Sequence, residues 1–369
     1  MKKAQVVIVG GGPAGLAAAV EAARAGAKTT VLDENSKPGG QLFKQIHKFF
    51  GSHEHRAGTR GFRIGEELLA ETTKLGVDVL LNAPVYGIFR VPGGLMLSYM
   101  QGGREQAILG DTAILAAGAA ENGLAFPGNT LPGVMGAGCA QTMINVNRVL
   151  PGKRIIMVGS GNVGLIVSYQ LLQAGAEVPV LVEAAPSIGG YGVHASKIRR
   201  AGTPILVSHT VKRVFGKDSV EGVEIIRVDE HFEPVPGTEI RYEADTLCIA
   251  VGLSPLTELA WMAGCEFVWT PVLGGHIPLH DENMESSVEG LFVAGDIAGS
   301  EEASTAMEEG RLAGTAAAEK LGLMPHFTAE RLKAEVWYRM NALRTGPFGQ
   351  KRAEAKNSIL ELAGGRRRK

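Results

Sequence analysis

Short apolar runs, broken by glycine turns and alanine-rich stretches, set the rhythm of this chain. Residues 6–9, VVIV, are apolar throughout, the pattern of a parallel strand buried on both faces. Gly10-Gly11-Gly12-Pro13-Ala14-Gly15 follows, then an Ala-rich helical stretch to about Ala25 stopped by Gly26. A second strand, residues 29–32, ends in Asp33. Further on, the pattern predicts a helix over 65–75, a strand over 77–81 and two alternating strands over 85–90 and 95–100. A buried strand over 113–117 is closed by Gly118, and residues 120–135, rich in Gly and Pro, read as a crossover linker.

The opening pattern then returns. A strand at 155–158 leads into Gly159-Ser160-Gly161-Asn162-Val163-Gly164, a helix to Gln173 and a strand over 178–182 ending at Glu183. Gly10 recurs as Gly159, an offset of 149 that Leu16/Leu165, Gly26/Gly175 and Val31/Val180 keep. Gly39-Gly40 recurs as Gly189-Gly190, one residue out of step, and strict offset puts Val182 rather than Glu183 opposite Asp33. This is an internal duplication. Alternation from 209 to 240 predicts a β meander, with buried strands at 246–251 and 291–294. A helix runs from near Ala303 to about Leu321, an amphipathic one spans about 329–343, and a polar segment closes the sequence. The expected fold is α/β, with two Rossmann-like units, the second inserted in the first, and a C-terminal helical tail. Its boundaries fall at 1–120 with 282–324, at 121–281, and at 325–369.

Each G-x-G-x-x-G has a physical task. The first glycine permits the tight turn, the second lets a pyrophosphate approach the backbone, and the third lets helix and strand pack closely. Free N–H groups and the dipole at the helix start hold the diphosphate. In the first copy Gly10, Gly12, Pro13, Ala14 and Gly15 form this cradle, and Asp33 accepts hydrogen bonds from a ribose. In the second, Gly159, Gly161, Asn162, Val163 and Gly164 do so, with Glu183 at the strand end. No Lys or Arg follows Glu183 until Lys197, so NAD(H) or another adenine nucleotide without a 2′-phosphate is expected there rather than NADP.

Net charge is −1, which gives no reason to expect a nucleic-acid partner, and the basic run at 366–369 reads as solvated. The first strand begins by Gln5, leaving no room for a signal peptide, and no apolar run is long enough to span a bilayer. Cys139, Cys248 and Cys265 include no C-x-x-C, which fits a reducing cytoplasm and argues against disulfide chemistry. Cys139 reads as a small buried hydrophobe. His47, His53 and His55 are interleaved with Lys44, Lys48 and Arg56, which suggests a cationic loop or a solvated one rather than a metal site. Pro278 between His276 and His280 argues against a helical metal pair, so no metal is expected.

Residues 1–320 resemble the two-dinucleotide-domain flavoproteins of the pyridine nucleotide–disulfide oxidoreductase superfamily. GGGPAG…VLD (10–33), TAILAAG (112–118), GSGNVG (159–164) and GLFVAGD (290–296) carry the resemblance, in order, and PGGQL (38–42) looks like a flavin-side segment. The resemblance implies FAD on the first unit, held by the first cradle and Asp33 with Glu34, Gly40, Gln41, Val85, Ala117, Gly118, Gly295, Asp296 and Ala303. It also implies that Asp296 meets the ribityl–pyrophosphate region and that the helix starting near Ala303 points at the flavin N1–C2 carbonyl. VLDEN-x-x-PGGQ and LPGVMGAG-x-AQ (131–141) are similar to the α subunits of heteromeric sarcosine, opine and proline dehydrogenases and the hydrogen cyanide synthase B chain.

The expected function is therefore that of an FAD-dependent flavoprotein subunit of an amine or amino-acid dehydrogenase. Its electrons would pass to an iron–sulfur protein and a partner subunit, because no cysteine follows Cys265. Alternatives are a stand-alone NADH-dependent reductase of a ferredoxin-like or small acceptor, and a structural nucleotide-binding subunit. No catalytic residue is identifiable. The tail, with Trp337, Tyr338, Met340 and Leu343, is the expected docking element, the alternative being that its helix packs back on its own FAD domain.

Overall fold

The computed structural model describes residues 2–49, 52–346 and 349–367. The chain divides into two compact units, one built up to Ala120 and again from Ser254, the other from Glu121–Leu253. The first opens with β1 (Lys2–Val9), α1 (Pro13–Arg24), β2 (Thr29–Leu32), α2 (Gly61–Lys74), β3 (Asp78–Leu80), β4 (Val85–Val91), β5 (Gly94–Gln101) and β6 (Arg104–Leu115). A short strand, β7 (Ala119–Glu121), ends this pass. The second unit holds β8 (Val134–Gly136), α3 (Ala137–Thr142), β9 (Ile155–Val158), α4 (Asn162–Gln173), β10 (Leu181–Glu183), α5 (Gly192–Arg200) and β11 (Ile205–Val207). The meander β12 (His209–Phe215), β13 (Gly222–Arg227), β14 (Ile240–Glu243) and then β15 (Thr246–Ile249) complete it. After β16 (Leu253–Pro255) come α6 (Glu258–Met262), β17 (Phe267–Thr270), β18 (Gly275–Pro278) and β19 (Leu291–Val293). Three helices follow, α7 (Ala303–Lys320), α8 (His326–Leu343) and α9 (Gln350–Arg367).

The first unit's sheet runs β3-β2-β1-β6-β5-β4, with β19 also on β6. β1, β2, β3, β6 and β19 are parallel, and β5 returns antiparallel along the first half of β6. β6 is longer than its apolar stretch suggested because 104–110 pair with β5 while 113–115 pair with β19 on the same edge. Val6, Val7 and Ile8 are wholly buried, as expected for a strand covered on both faces. α7 covers α1 at close range. A Cβ on Gly310 or Gly314 would overlap the carbonyls of Ala14 and Ala18, so only glycine allows this crossing. The second unit has a five-stranded parallel sheet, β11-β10-β9-β15-β8, and the β12-β13-β14 meander.

Two expectations need correction. Residues 254–281, which carry no parallel-strand signature and are expected in the insertion, instead pack in the first unit, where Ala260 and Cys265 join the core of β1 and β19. The C-terminal tail is helical as expected, its closing polar segment being α9, whose Ile359 and Ala363 are buried against Leu273, Ile277 and Leu279. The tail is not a free docking arm, because Val336 and Met340 are buried in the first unit's core and the Trp337 indole N–H donates to the Glu282 carbonyl at 3.1 Å. Tyr338 is exposed and Leu343 half-buried. The basic run at 366–369 lies outside the residues whose side chains are described.

Candidate dinucleotide sites

In the first unit the sequence-predicted residues gather at the C-terminal ends of the parallel strands, where open α/β sheets bind ligands. Gly10 has φ +101°, and a side chain there or at Gly15 would overlap the carbonyl of Ala116 or of Gly10. Gly12, the N-cap of α1, faces open space, since a Cβ on it would meet nothing within 4 Å. No side chain caps this helix and Pro13 fills its first position, so its end is left to an anion. Gly40 lies against the Gly12 backbone, and the Gly39 N–H donates to the Gly11 carbonyl at 2.6 Å. Ala83, two residues before Val85, donates to the Asp33 carbonyl. Gly295 sits against the Ala14 methyl, Ala303 packs beside Leu16 and Leu42, and Ala117 and Gly118 leave β6 at the same end, Gly118 with φ +82°.

The two acids after β2 differ in state. Asp33 is buried, and its carboxylate accepts the Gly11 N–H at 2.6 Å, the Asn35 N–H at 2.7 Å and the Asn35 side-chain amide at 2.9 Å. Glu34 beside it is exposed, as is Gln41. Asp33 thus holds the turn in shape, a role its position alone did not reveal.

The second unit repeats this in detail. Gly159 has φ +101°, Gly164 packs on the Gly159 carbonyl, and Gly161 faces open space at an N-terminus of α4 that no side chain caps. The Glu183 carboxylate accepts the Ser160 N–H at 2.9 Å, the Ser160 hydroxyl at 2.6 Å and the Ala185 N–H at 2.9 Å. Val182, whose carbonyl accepts from Gly159, matches Leu32, whose carbonyl accepts from Gly10. The strict-offset placement of Val182 is therefore corrected. The extra residue is absorbed before β10, in the 176–180 stretch that contains Pro179, and Glu183 stands where Asp33 does. Asn162 accepts the Tyr191 N–H at 2.9 Å, and Val163 is largely exposed on the first turn of α4.

Asp296 is a strongly perturbed acid of the first unit. Burial pushes its carboxyl up to about 6, helped by Glu309 and Glu301, while the Glu301 N–H and Lys356 pull the other way. Sequence reading missed its surroundings. The Gly295 N–H donates to the Glu309 carboxylate at 3.0 Å, and Lys356 donates to that carboxylate at 2.7 Å and to the Ala298 carbonyl at 2.8 Å. A signal existed: Glu309 stands in the Gly- and Ala-rich stripe of α7, where a carboxylate needs a buried partner. The first turn of α7 is closed by its own Glu302 carboxylate in a capping box with Thr305.

Other expectations fare unevenly. Cys139 is exposed, not buried, because α3 turns Ala137 and Ala140 to the core instead. All three cysteines are free, and burial pushes the Cys248 thiol up to about 12, far from thiolate reactivity at neutral pH. His55 is buried with its ring nitrogen on Ser52 at 2.9 Å and His47 is half-buried, whereas Lys48, His53, Glu54 and Arg60 are exposed, so the loop is anchored at a few side chains and otherwise faces solvent. His280 is buried, its Nδ1 2.7 Å from the Pro278 carbonyl, and burial drives it down to about 3, so it stays neutral. Among the described residues no helix is long and apolar enough to cross a membrane.

A family description, pyridine nucleotide-disulphide oxidoreductase, matches residues 4–310. The chain belongs to this family. As a pyridine nucleotide-disulphide oxidoreductase it is an FAD-dependent oxidoreductase. It is 29% identical over 333 residues to the A subunit of opine oxidase from Agrobacterium tumefaciens, covering 86% of this chain and 66% of that protein. It is 29% identical over 326 residues to hydrogen cyanide synthase subunit HcnB of Pseudomonas aeruginosa, covering 83% of this chain and 69% of that protein. The chain thus spans about two thirds of the length of these curated relatives. In fold it is similar to T. acidophilum thioredoxin reductase, with TM-score 0.72 and 21% identity over 87% of this chain and 99% of that one.

The family implies FAD, and the first unit fits it: an uncapped helix start, open space at Gly12, and a buried carboxylate at Asp296 held above its usual range.

Proposed function

We propose that the chain is the flavoprotein subunit of a multi-subunit amine or amino-acid dehydrogenase that passes electrons to an iron–sulfur protein and a partner subunit. The observation that carries this reading is similarity along 86% of the chain to a protein named as an oxidase subunit. The first unit would hold FAD, which when bound supplies a two-electron acceptor. Gly10, Gly12, Pro13, Ala14 and Gly15 would take its diphosphate at the start of α1. Asp33 would fix the turn, leaving Glu34 and the remaining carboxylate lone pairs to the ribose. Gly40, Gln41, Val85, Ala117, Gly118, Gly295, Asp296 and Ala303 would complete the enclosure. The free thiols and the absence of any C-x-x-C favour a reducing, cytoplasmic setting.

Replacing Gly12 by Val puts a branched side chain into the space left for the diphosphate. The variant is expected to fold and to purify colourless, with less than about a tenth of the wild-type flavin, a loss of more than about 1.4 kcal/mol in binding. Flavin absorbance against a circular-dichroism melt checks this, and a fully yellow variant contradicts it.

A second reading, a stand-alone NADH-dependent reductase, is favoured by the intact cradle of the second unit. Its site would take NAD(H) or another adenine nucleotide, because the Glu183 end offers no cation to a 2′-phosphate. Anaerobic mixing separates the readings. Rapid flavin bleaching by NADH alone supports the reductase, whereas bleaching by an amine only with co-purified partner present supports the subunit. Bleaching by NADPH faster than by NADH would overturn the assignment of the second site.

A further inference from the structure

Three carboxylates, Asp296, Glu301 and Glu309, crowd the turn between β19 and α7, and all three are buried. Their counter-charges come from the two C-terminal helices. Arg344, closing α8, donates to both Glu301 oxygens at 3.2 Å and to Glu309 at 3.0 Å. Lys356, on α9, reaches Glu309 at 2.7 Å and the Ala298 carbonyl at 2.8 Å, and only 4% of its side chain is exposed. On the surface, Arg352 of α9 faces Glu302 at 3.9 Å. His280 adds no charge, being neutral, and a cavity of about 10 Å³ lined by His280, Glu309, Arg344 and Lys356 has room for about one water. Three acids therefore face two cations with little solvent between them, where a unit charge acts at low effective dielectric.

We propose that Lys356 and Arg344 are positioning residues that set the charge around the Gly295–Asp296 turn, and through it the affinity and midpoint potential of the flavin. The inference rests on the first unit being the FAD site. Gly295 is the link: its N–H is held by Glu309, and Glu309 is held by Lys356. Without Lys356 the turn carries a second uncompensated negative charge beside a diphosphate ligand. Like charge weakens binding of that ligand and disfavours the added electrons of the reduced flavin. α8 and α9 thus complete the flavin site electrically.

The test uses the full chain with FAD bound, reading FAD dissociation and the midpoint potential by dye-linked reductive titration. Lys356→Met is expected to weaken FAD by ~10-fold or more and to lower the potential, while Lys356→Arg keeps the potential near wild type. Should Lys356→Met fail to fold, Lys356→Met/Glu309→Gln removes both members of the buried pair and keeps an amide oxygen for the Gly295 N–H. That double variant is expected to return toward wild-type affinity and potential. Lys356→Met with unchanged affinity and potential, or a double variant with neither property near wild type, overturns the inference. Wild-type chain that takes up no FAD overturns the reading beneath it as well, and is told apart by the colour of the unaltered protein.

Discussion

A chain cut after Leu323 is expected to lose the cooperative folding of its first unit, and its flavin with it. Val336 is 4% exposed and Met340 wholly buried in the same core as β1 and β19. Stripping a large apolar side chain from a core costs about 2–5 kcal/mol, and here two go from α8 alone, with Ile359 and Ala363 of α9 besides. The cut also strands Glu301 and Glu309 without Arg344 and Lys356, and breaking a buried ion pair by removing one partner costs about 3–5 kcal/mol. Against a whole-domain stability of about 5–15 kcal/mol these losses are decisive. Limited proteolysis and a urea titration would show a protease-sensitive chain with no cooperative transition from the first unit. A truncated protein that stays yellow and melts with the full-length chain would make α8 and α9 accessories after all.

How much of this was legible in the sequence depends on how local the signal was. Both cradles were, because strand, glycine turn, helix and acid lie within about thirty residues and their physics is carried by the backbone itself. The duplication was legible for the same reason. The one-residue slip at Glu183 was misjudged because an offset counts residues, whereas register is set by hydrogen bonds: Gly159 to Val182 copies Gly10 to Leu32. The helical nature of the tail was legible, but the residues that bury α9 were not. α9 is mostly polar, and the few residues that bury it, Lys356 among them, are ones whose burial depends on partners far along the chain. A lysine in a polar helix reads as solvated until Glu309 is seen beside it. Cys139 failed likewise: a six-residue helix carries too little periodicity to tell its core face from its outer one.

Asp296→Asn is expected to stabilise the flavin-free protein while weakening its hold on FAD. Asp296 ordinarily titrates near 3.8, and in the folded chain burial first, then Glu309 and Glu301, raise it to about 6. An acid raised on folding makes the native state bind the extra proton, so stability falls as pH climbs from about 3.8 to 6 and stays reduced above that. A gap of about two pH units corresponds to about 3 kcal/mol at neutral pH, an upper figure since neighbouring charges share it. Asparagine carries no charge to bury, and its amide oxygen can still accept from the Glu301 N–H. The variant's advantage in the flavin-free state should therefore be full at pH 7 and fade as pH drops through 6 toward 4. With FAD bound the advantage shrinks, because a charged acceptor contributes about 1.5–3 kcal/mol to a hydrogen bond that an amide only partly replaces. FAD affinity should fall by ~10-fold or more. Thermal melts of flavin-free and flavin-bound protein at pH 7 and pH 5 read both effects in one set. A flavin-free variant no more stable than wild type at pH 7 would mean that Asp296 is not held as an unfavourable buried charge, and the case for it as a site residue retained for the ligand would lose its physical basis.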